Sequence, residues 1–456
     1  MCGLIDTRRY EGKRISVLGA GVSGTSLAEL AKKAGADVFV SDAQELSLDT
    51  TSFFYTNGIR FESGGNTEKI LDADILLVSS GISPENKWLL EAEKKDIDVI
   101  GELDFASQFI SCPIIAVTGS NGKTTTTSMI GYLLEKSGYR TGVCGNIGNG
   151  ISHMADGDYD FVVAELSSFQ LHRASSFRCN VAVVTNLAPD HITWHGSYEN
   201  YIAAKAKEIS SLVENGIAVY QSRDEAAFCF RDDVNRFPLS WTSESEENAL
   251  CIDRGTEAAY VIKNGKKTKL FDFDDINLLG DHNIENTAMT LAVLNMLGVS
   301  VPKEVLASYV PPKHRCAFAG KINDVTFVDD SKGTNVAATV TALTAINGTK
   351  VIILGGQGKG EEYSLLAETV RNQARAAVLI GEEKEVMAAA LDKEGFTNYR
   401  FEKNMKSAVD TAYSMADHGD IVLLSPACTS WDMYPSYVAR GEDYVRCVKE
   451  LIEREA

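Results

Sequence analysis

Long apolar runs are missing from this sequence, and so is any excess of positive charge. No stretch of the 456 residues approaches the ~20 apolar residues of a membrane-crossing helix. Lys and Arg number 44 against 63 Asp and Glu, a formal net charge of -19. Such a chain lacks the basic surface that non-specific nucleic-acid binding needs. Anionic ligands must instead be held by local devices, helix N-termini and a few placed Lys or Arg. The nine Cys form no CxxC pair and no metal-ligand spacing. An odd, scattered set in a long chain reads as reduced core thiols of a cytosolic protein. The opening MCGLIDTRRYEGKR is polar and charged, unlike a secretory leader. No repeat or low-complexity tract interrupts the chain. The expectation is a cytoplasmic protein with neither membrane nor nucleic acid as partner.

What is present is the composition of a globular protein, 44% hydrophobic. The length suits about two to four domains. Strand-like and helix-like segments alternate. RISVL (14–18), DVFVSD (37–42) and ADILLVSSGI (73–82) read as strands, with a helix over 24–35. A second unit opens near GELDFAS (101–107), with strands before residue 119, over 160–168 and over 181–187, and a helix over 124–138. The polar, acidic stretch around 242–267 suggests a small antiparallel excursion. Two prolines in VPPKHR (310–315) mark a third unit with four parallel-type strands, 325–330, 350–356, 376–381 and 420–426. The rhythm predicts three α/β domains, 1–101, 102–310 and 311–456, with ligands at the carboxyl ends of strands.

Two glycine-rich loops carry the chemistry. In AVTGSNGKTTTTSMI (116–130), backbone N–H groups of Gly119, Ser120, Asn121 and Gly122 can wrap a phosphate. Lys123 reaches terminal phosphate oxygens, and the hydroxyl of Thr124, followed by Thr125 at the helix start, suits Mg²⁺. The common G-x-x-x-x-G-K-[ST] spacing would need Gly at Val117, so the loop is a variant. The other loop, GAGVSG (19–24), includes Gly21, Val22 and Ser23, with Asp42 about 20 residues on where a ribose-binding acid would lie. Alone it reads as an NAD site, another nucleotide diphosphate site or a packing turn. A Mg-ATP loop in the same chain argues against NAD.

Glu165 ends a buried strand and suits Mg²⁺. Asp190, His191 and His195 crowd another strand end, where a His could ligate an ion or touch a phosphate. Lys205, on an amphipathic helix, reads by itself as a solvated lysine. GDHNIEN, KHR, DDSKGTN, GGQGKGEEYS and LSPACTSWDMY are further polar clusters at strand ends or borders.

Taken together, TGSNGKTT, ELSSFQL, NLAPDH, YIAAK, GDHNIEN, HR, DDSKGTN and LSPACTSWDMY resemble the Mur ligase family over residues 14–444. GAGVSG, SSGISP and SPACTSWDMYPSYVARGEDY resemble the member that adds D-glutamate. The resemblance implies a Rossmann-like UDP-binding N-terminal domain, a central P-loop ATPase-type α/β domain and a C-terminal Rossmann-like α/β domain. It implies a monomer that joins D-glutamate to UDP-N-acetylmuramoyl-L-alanine using ATP, through an acyl phosphate. One glycine loop would then serve UDP and the other ATP.

By the same resemblance, ATP would contact Lys123, Thr124, Asn286, Arg315 and Asp330. Glu165, His191 and a carbamylated Lys205 would join Thr124 around two Mg²⁺ ions, and Lys332 would stand at the reaction centre. Gly21, Val22, Ser23, Asp42, Ser80, Gly81, Asn146 and His191 would line the UDP-substrate site. Thr334, Lys359, Ser430 and Tyr437 would hold D-glutamate. Ala317 stands where the family often has an acid, and AQE follows Asp42 without the hydroxyl and arginine of some members. A folylpolyglutamate-type ligase would lack the N-terminal UDP-type domain. A non-catalytic regulator would have lost Lys123, Glu165 or Lys332.

Overall fold

The computed structural model describes residues 8–241, 247–278 and 280–455. Residues 1–7, part of the leader reading, and 242–246, part of the acidic stretch, lie outside the described residues. The chain forms two compact units. The first comprises 1–187, 202–276 and 286–309, and the second 188–201, 277–285 and 310–456.

The first unit contains two sheets. Strands β1 (Arg14–Leu18), β2 (Asp37–Ser41), β3 (Arg60–Glu62), β4 (Ile75–Val78) and β5 (Asp98–Gly101) form an all-parallel sheet in the order β3-β2-β1-β4-β5. The chain winds outward from β1 on one side and returns to β4 on the other, so a crevice opens between the ends of β1 and β4. The GAGVSG loop follows β1, and Ser80 and Gly81 follow β4. The two loops touch: a Cβ on Gly19 would lie 3.2 Å from Ser79 Cβ.

The second sheet comprises β6 (Ile114–Thr118), β7 (Thr141–Gly145), β8 (Phe161–Glu165), β9 (Cys179–Val184), β10 (Leu212–Gln221), β11 (Asn235–Ser240), β12 (Ala249–Asp253), β13 (Ala258–Lys263) and β14 (Lys266–Asp272). Its order is β14-β13-β12-β11-β10-β9-β6-β8-β7. The expected antiparallel excursion is the β12–β13–β14 meander, which extends this sheet. β6 lies between β8 and β9 and is buried throughout, which is why IIAVT reads as a continuous apolar run.

The second unit is built on β15 (Ala317–Ile322), β16 (Val325–Asp329), β17 (Lys350–Gly355), β18 (Ala374–Ile380), β19 (Tyr399–Phe401) and β20 (Ile421–Leu424), in the order β15-β16-β20-β17-β18-β19. The four expected strands are joined by two more at the edges, β15 antiparallel to β16 and β19 parallel to β18. These edge strands are short or partly exposed and carry no apolar run to reveal them. In β17, Ile352 and Leu354 pack on one face while Val351 and Ile353 pack on the other. All described cysteines are free thiols, and Cys229 and Cys316 are exposed where core burial was expected. Among the described residues no helix is long and apolar enough to cross a membrane.

Candidate active site

In the first unit the second glycine loop is held by the segment that follows β9 and by Asn286. Gly119 (φ 141) and Gly122 (φ 84) adopt conformations that favour glycine. A Cβ on Gly119 would fall 2.0 Å from Thr185 Oγ1, and one on Gly122 2.4 Å from Asn286 Oδ1. Just past β9, the Asn186 carbonyl accepts Ser120 N–H at 2.8 Å, and its Oδ1 accepts Asn121 N–H at 3.0 Å. The Thr185 hydroxyl donates to Asn121 O at 2.5 Å. This bracing leaves the loop pre-formed at the start of the helix Lys123–Lys136, whose N-terminal dipole favours an anion.

Two lysines meet on this loop. Lys123 Nζ donates to Gly119 O and Ser120 O, both at 2.8 Å. Lys205 Nζ donates to Gly119 O at 2.7 Å and to Thr118 Oγ1 at 3.2 Å. Lys205 is 1% exposed, so the solvated lysine read from helical periodicity is corrected: the apolar face of its helix carries it into the sheet. On the other side of β6, Glu165 is fully buried at the end of β8. Asn146 donates to it twice, from Nδ2 to Oε1 at 3.1 Å and from the backbone N–H to Glu165 O at 2.8 Å. Asn286 Oδ1 accepts the Thr126 hydroxyl at 3.3 Å. Thr124 is 1% exposed.

At the first sheet, Asp42 binds the glycine loop itself, its Oδ2 accepting Ala20 N–H at 2.5 Å. Its other oxygen accepts Gln44 N–H at 2.8 Å. Gly21 caps the helix Val22–Lys33, and Val22 stands exposed at its start.

In the second unit the expected residues gather on loops after three adjacent strands, β16, β20 and β17. Lys359 Nζ, 7% exposed, donates to Asp190 Oδ1 at 2.7 Å and to Thr334 Oγ1 at 3.3 Å. Asn335 Nδ2 donates to the other Asp190 oxygen at 3.2 Å. His191 adopts a left-handed conformation (φ 52), with Nε2 3.7 Å from Asp190 Oδ1. Glu361 accepts Val336 N–H at 3.0 Å; burial, then the Asp190 charge, push its carboxyl up to about 7. Asp330 accepts the Ser425 hydroxyl at 2.7 Å, and burial raises its carboxyl to about 6. Burial, then the Arg315 charge, depress His282 to about 4, and Arg315 also draws Asp330 down. Lys332 Nζ stands 5.2 Å from the Tyr437 ring centroid. Ser430 is buried, its carbonyl accepting the Tyr434 N–H at 2.7 Å.

Sequence reading missed several residues of this cluster. Arg440, 1% exposed, donates to the carbonyls of Ser331 (2.9 Å), Cys428 (3.0 Å) and Thr429 (3.1 Å). It thereby ties the Lys332 loop to the Ser430 loop. His314 Nδ1 lies 2.6 Å from Asp329 Oδ2. Asn335 and Glu361 were also passed over, although both stand inside polar clusters already singled out. Arg440 too lies inside a stretch already quoted, SPACTSWDMYPSYVARGEDY, but its place in a helix gives no sign of which carbonyls it meets.

A glycine loop and lysine between a parallel strand and a helix, with a buried acid at the end of the next strand, define a nucleotide-using P-loop enzyme. The chain belongs to the Mur ligase family: residues 14–88 match the MurD N-terminal domain, 117–294 the Mur ligase middle domain, and 314–428 the Mur ligase glutamate ligase domain. Among its relatives, the UDP-N-acetylmuramoylalanine–D-glutamate ligase of Christiangramia forsetii is 36% identical over 96% of this chain and 100% of that protein. Those of Thermoanaerobacter pseudethanolicus (32%, over 97% and 99%) and Streptococcus agalactiae serotype Ia (35%, over 97% and 98%) carry the same name. The three-domain Mur ligase fold recurs in solved structures. The MurC ligase of Thermotoga maritima superposes with a TM-score of 0.59 at 17% identity, over 96% of this chain and 99% of that one. The MurF ligase of the same organism in complex with ADP also gives 0.59, at 18% identity over 99% and 98%.

Proposed function

We propose that this chain joins D-glutamate to UDP-N-acetylmuramoyl-L-alanine at the expense of ATP, in peptidoglycan precursor synthesis. One observation carries the reading: two glycine-rich loops follow parallel strands, β1 and β6, of two different sheets, in a chain whose full-length relatives bear that activity's name. GAGVSG, with Ser80, Gly81 and Asn146, serves the UDP-linked substrate, and TGSNGKTT serves ATP. Thr334, Lys359, Ser430 and Tyr437 take the amino acid. The domains divide at 101 and 310, and the protein works as a monomer in the cytoplasm.

A carboxylate resists nucleophiles because of its charge. The muramoyl-alanine carboxylate attacks the γ-phosphorus of ATP, ADP leaves, and an acyl phosphate results. The D-glutamate amine adds to the acyl carbon, phosphate departs and the nitrogen gives up a proton. Lys123 and the loop N–H groups offset the charge of the transferring phosphoryl group, and Arg315 contributes to the same end. Lys332 stands at the reaction centre. Lys359 gives the amino acid's carboxylate a buried counter-charge in place of Asp190.

The Thr124 hydroxyl and the buried Glu165 carboxylate are hard oxygen donors suited to Mg²⁺, which when bound would spread the phosphate charge. Lys205 as an ammonium donating to Gly119 O does not suit a cation ligand; carbamylation would make it one by inverting its charge. Two ions, with His191 completing the donor set, belong to the same reading.

The test is ADP release with UDP-N-acetylmuramoyl-L-alanine and a panel of amino acids. D-glutamate is expected to support turnover and L-glutamate not. Equal turnover of the enantiomers, or turnover only with another amino acid, overturns the assignment.

A further inference from the structure

The segment that closes the first unit packs on the back of the phosphate-loop helix. Thr125, Ser128 and Tyr132 follow one another at spacings of three and four in the helix Lys123–Lys136, so they share one face. Tyr309, 5% exposed, meets that face. Its hydroxyl lies 2.7 Å from Ser128 Oγ and 3.2 Å from the Thr125 carbonyl oxygen. Its ring meets the Tyr132 ring edge-on, with centroids 5.7 Å apart. The Tyr132 hydroxyl lies 2.9 Å from Ser308 Oγ, which donates to Val305 O at 2.8 Å. Tyr309 N–H donates to Leu306 O at 3.2 Å, which ties it to the helix Lys303–Ala307. The next residue, Val310, is exposed and begins a stretch of the second unit.

The hydroxyl contacts form a chain. Ser128 Oγ donates to the Thr124 carbonyl at 2.6 Å and reaches Thr125 O at 3.2 Å. Each hydroxyl has one proton to give and lone pairs with which to accept. The shortest contacts settle the directions: Ser128 gives its proton to Thr124 O and accepts that of Tyr309. A hydroxyl that accepts a hydrogen bond donates a stronger one, so Tyr309 tightens the hold of Ser128 on Thr124. Thr124 is the residue whose hydroxyl suits Mg²⁺, one position after the loop lysine. A serine bonded to the carbonyl four residues back is common in helices and by itself fixes nothing outside the helix. The buried phenol turns it into a link between the phosphate loop and a segment 181 positions away.

We propose that Tyr309 is a positioning residue for the nucleotide: acting through Ser128, it fixes the first turn of the phosphate-loop helix, and Thr124 with it, against the segment that closes the first unit. The proposal rests on the assignment of TGSNGKTT to ATP. Nucleotide binding and the order of residues 303–309 then depend on each other, since a bond that steadies the loop for a ligand is steadied by that ligand in return.

Tyr309→Phe removes the hydroxyl and keeps the ring against Tyr132. It is expected to raise the calorimetric Kd for ADP with Mg²⁺, and the KM for ATP, about fivefold, the worth of one buried hydrogen bond. The KM for UDP-N-acetylmuramoyl-L-alanine should stay within about twofold of wild type. Ser128→Ala removes the middle of the chain and should have at least the same effect, and adding Tyr309→Phe to it should change little more. Hydrogen exchange separates positioning from packing. ADP with Mg²⁺ should slow exchange across 303–309 in wild type and leave it unchanged in Tyr309→Phe. Wild type that does not bind ADP refutes the assignment of the loop to ATP. Where wild type binds it, the role of Tyr309 is refuted by a Kd and a KM for ATP that rise less than about twofold in Tyr309→Phe, or by the KM values for both substrates rising together. Fully additive effects of the two substitutions refute it as well, as does ADP slowing exchange across 303–309 equally, or not at all, in the two proteins.

Discussion

Replacing Arg440 with Met keeps the length of the side chain and removes its cation and donors. The guanidinium makes three bonds to carbonyl oxygens, one from the Ser331 loop and two from the Cys428–Thr429 loop. A hydrogen bond from a charged donor contributes about 1.5–3 kcal/mol, so the gross loss is about 5–7 kcal/mol after allowing for non-additivity. Against this stands the cost of burying the charge. Burial lowers the Arg440 guanidinium from its usual range to about 10, which corresponds to about 3 kcal/mol. The net expected cost is about 2–4 kcal/mol, felt where the two loops meet. Hydrogen exchange should therefore quicken by at least about 30-fold in segments 329–335 and 427–431, and little on the first sheet. Turnover should fall with a raised KM for D-glutamate, because Lys332 and Ser430 lie on those loops. Unchanged exchange in both segments, together with a wild-type KM for D-glutamate, would refute the reasoning.

Gly122→Ala places a Cβ 2.4 Å from Asn286 Oδ1 on a backbone with φ 84, so ATP turnover should drop at least about tenfold while UDP-substrate binding persists; unaltered turnover would show the loop to be slack. Lys205→Ala should lose most activity and regain part of it with added acetate, which can occupy an anionic position; full activity without acetate would remove Lys205 from the mechanism. Asp330 has a folded-state carboxyl raised to about 6, so its stabilising neutral form is fully present below about pH 4 and lost as pH rises through about 6. Thermal unfolding of Asp330→Asn relative to wild type should therefore improve by on the order of 2–3 kcal/mol between pH 4 and 7, and a pH-independent difference would contradict this.

The phosphate loop was legible because its parts are consecutive: a buried strand, glycines at fixed offsets, a lysine and a helix start. The buried strands β1, β6, β8 and β17 announced themselves as apolar runs, and the family signatures supplied the candidate site residues. Local pattern also placed the β12–β14 meander. Edge strands such as β15 and β19 escaped, since half-exposed strands carry mixed residues.

What the sequence by itself determined is thus the set of local devices: two glycine-rich turns, the strand cores behind them and the polar clusters at strand ends. Only the tertiary structure decided which polar groups meet. Lys359 pairs with Asp190, 169 positions away, Arg440 reaches back 109 positions to Ser331, and Gln170 reaches back 68 positions to Glu102. The same holds for Lys205, whose periodicity suits solvent but whose amine ends on the Gly119 carbonyl. The physical reason is that hydrophobic burial repeats along the chain with the period of the element it builds. A buried polar contact is a single event between distant segments, satisfied because an unpartnered polar group in the interior is costly, and it leaves no period to read.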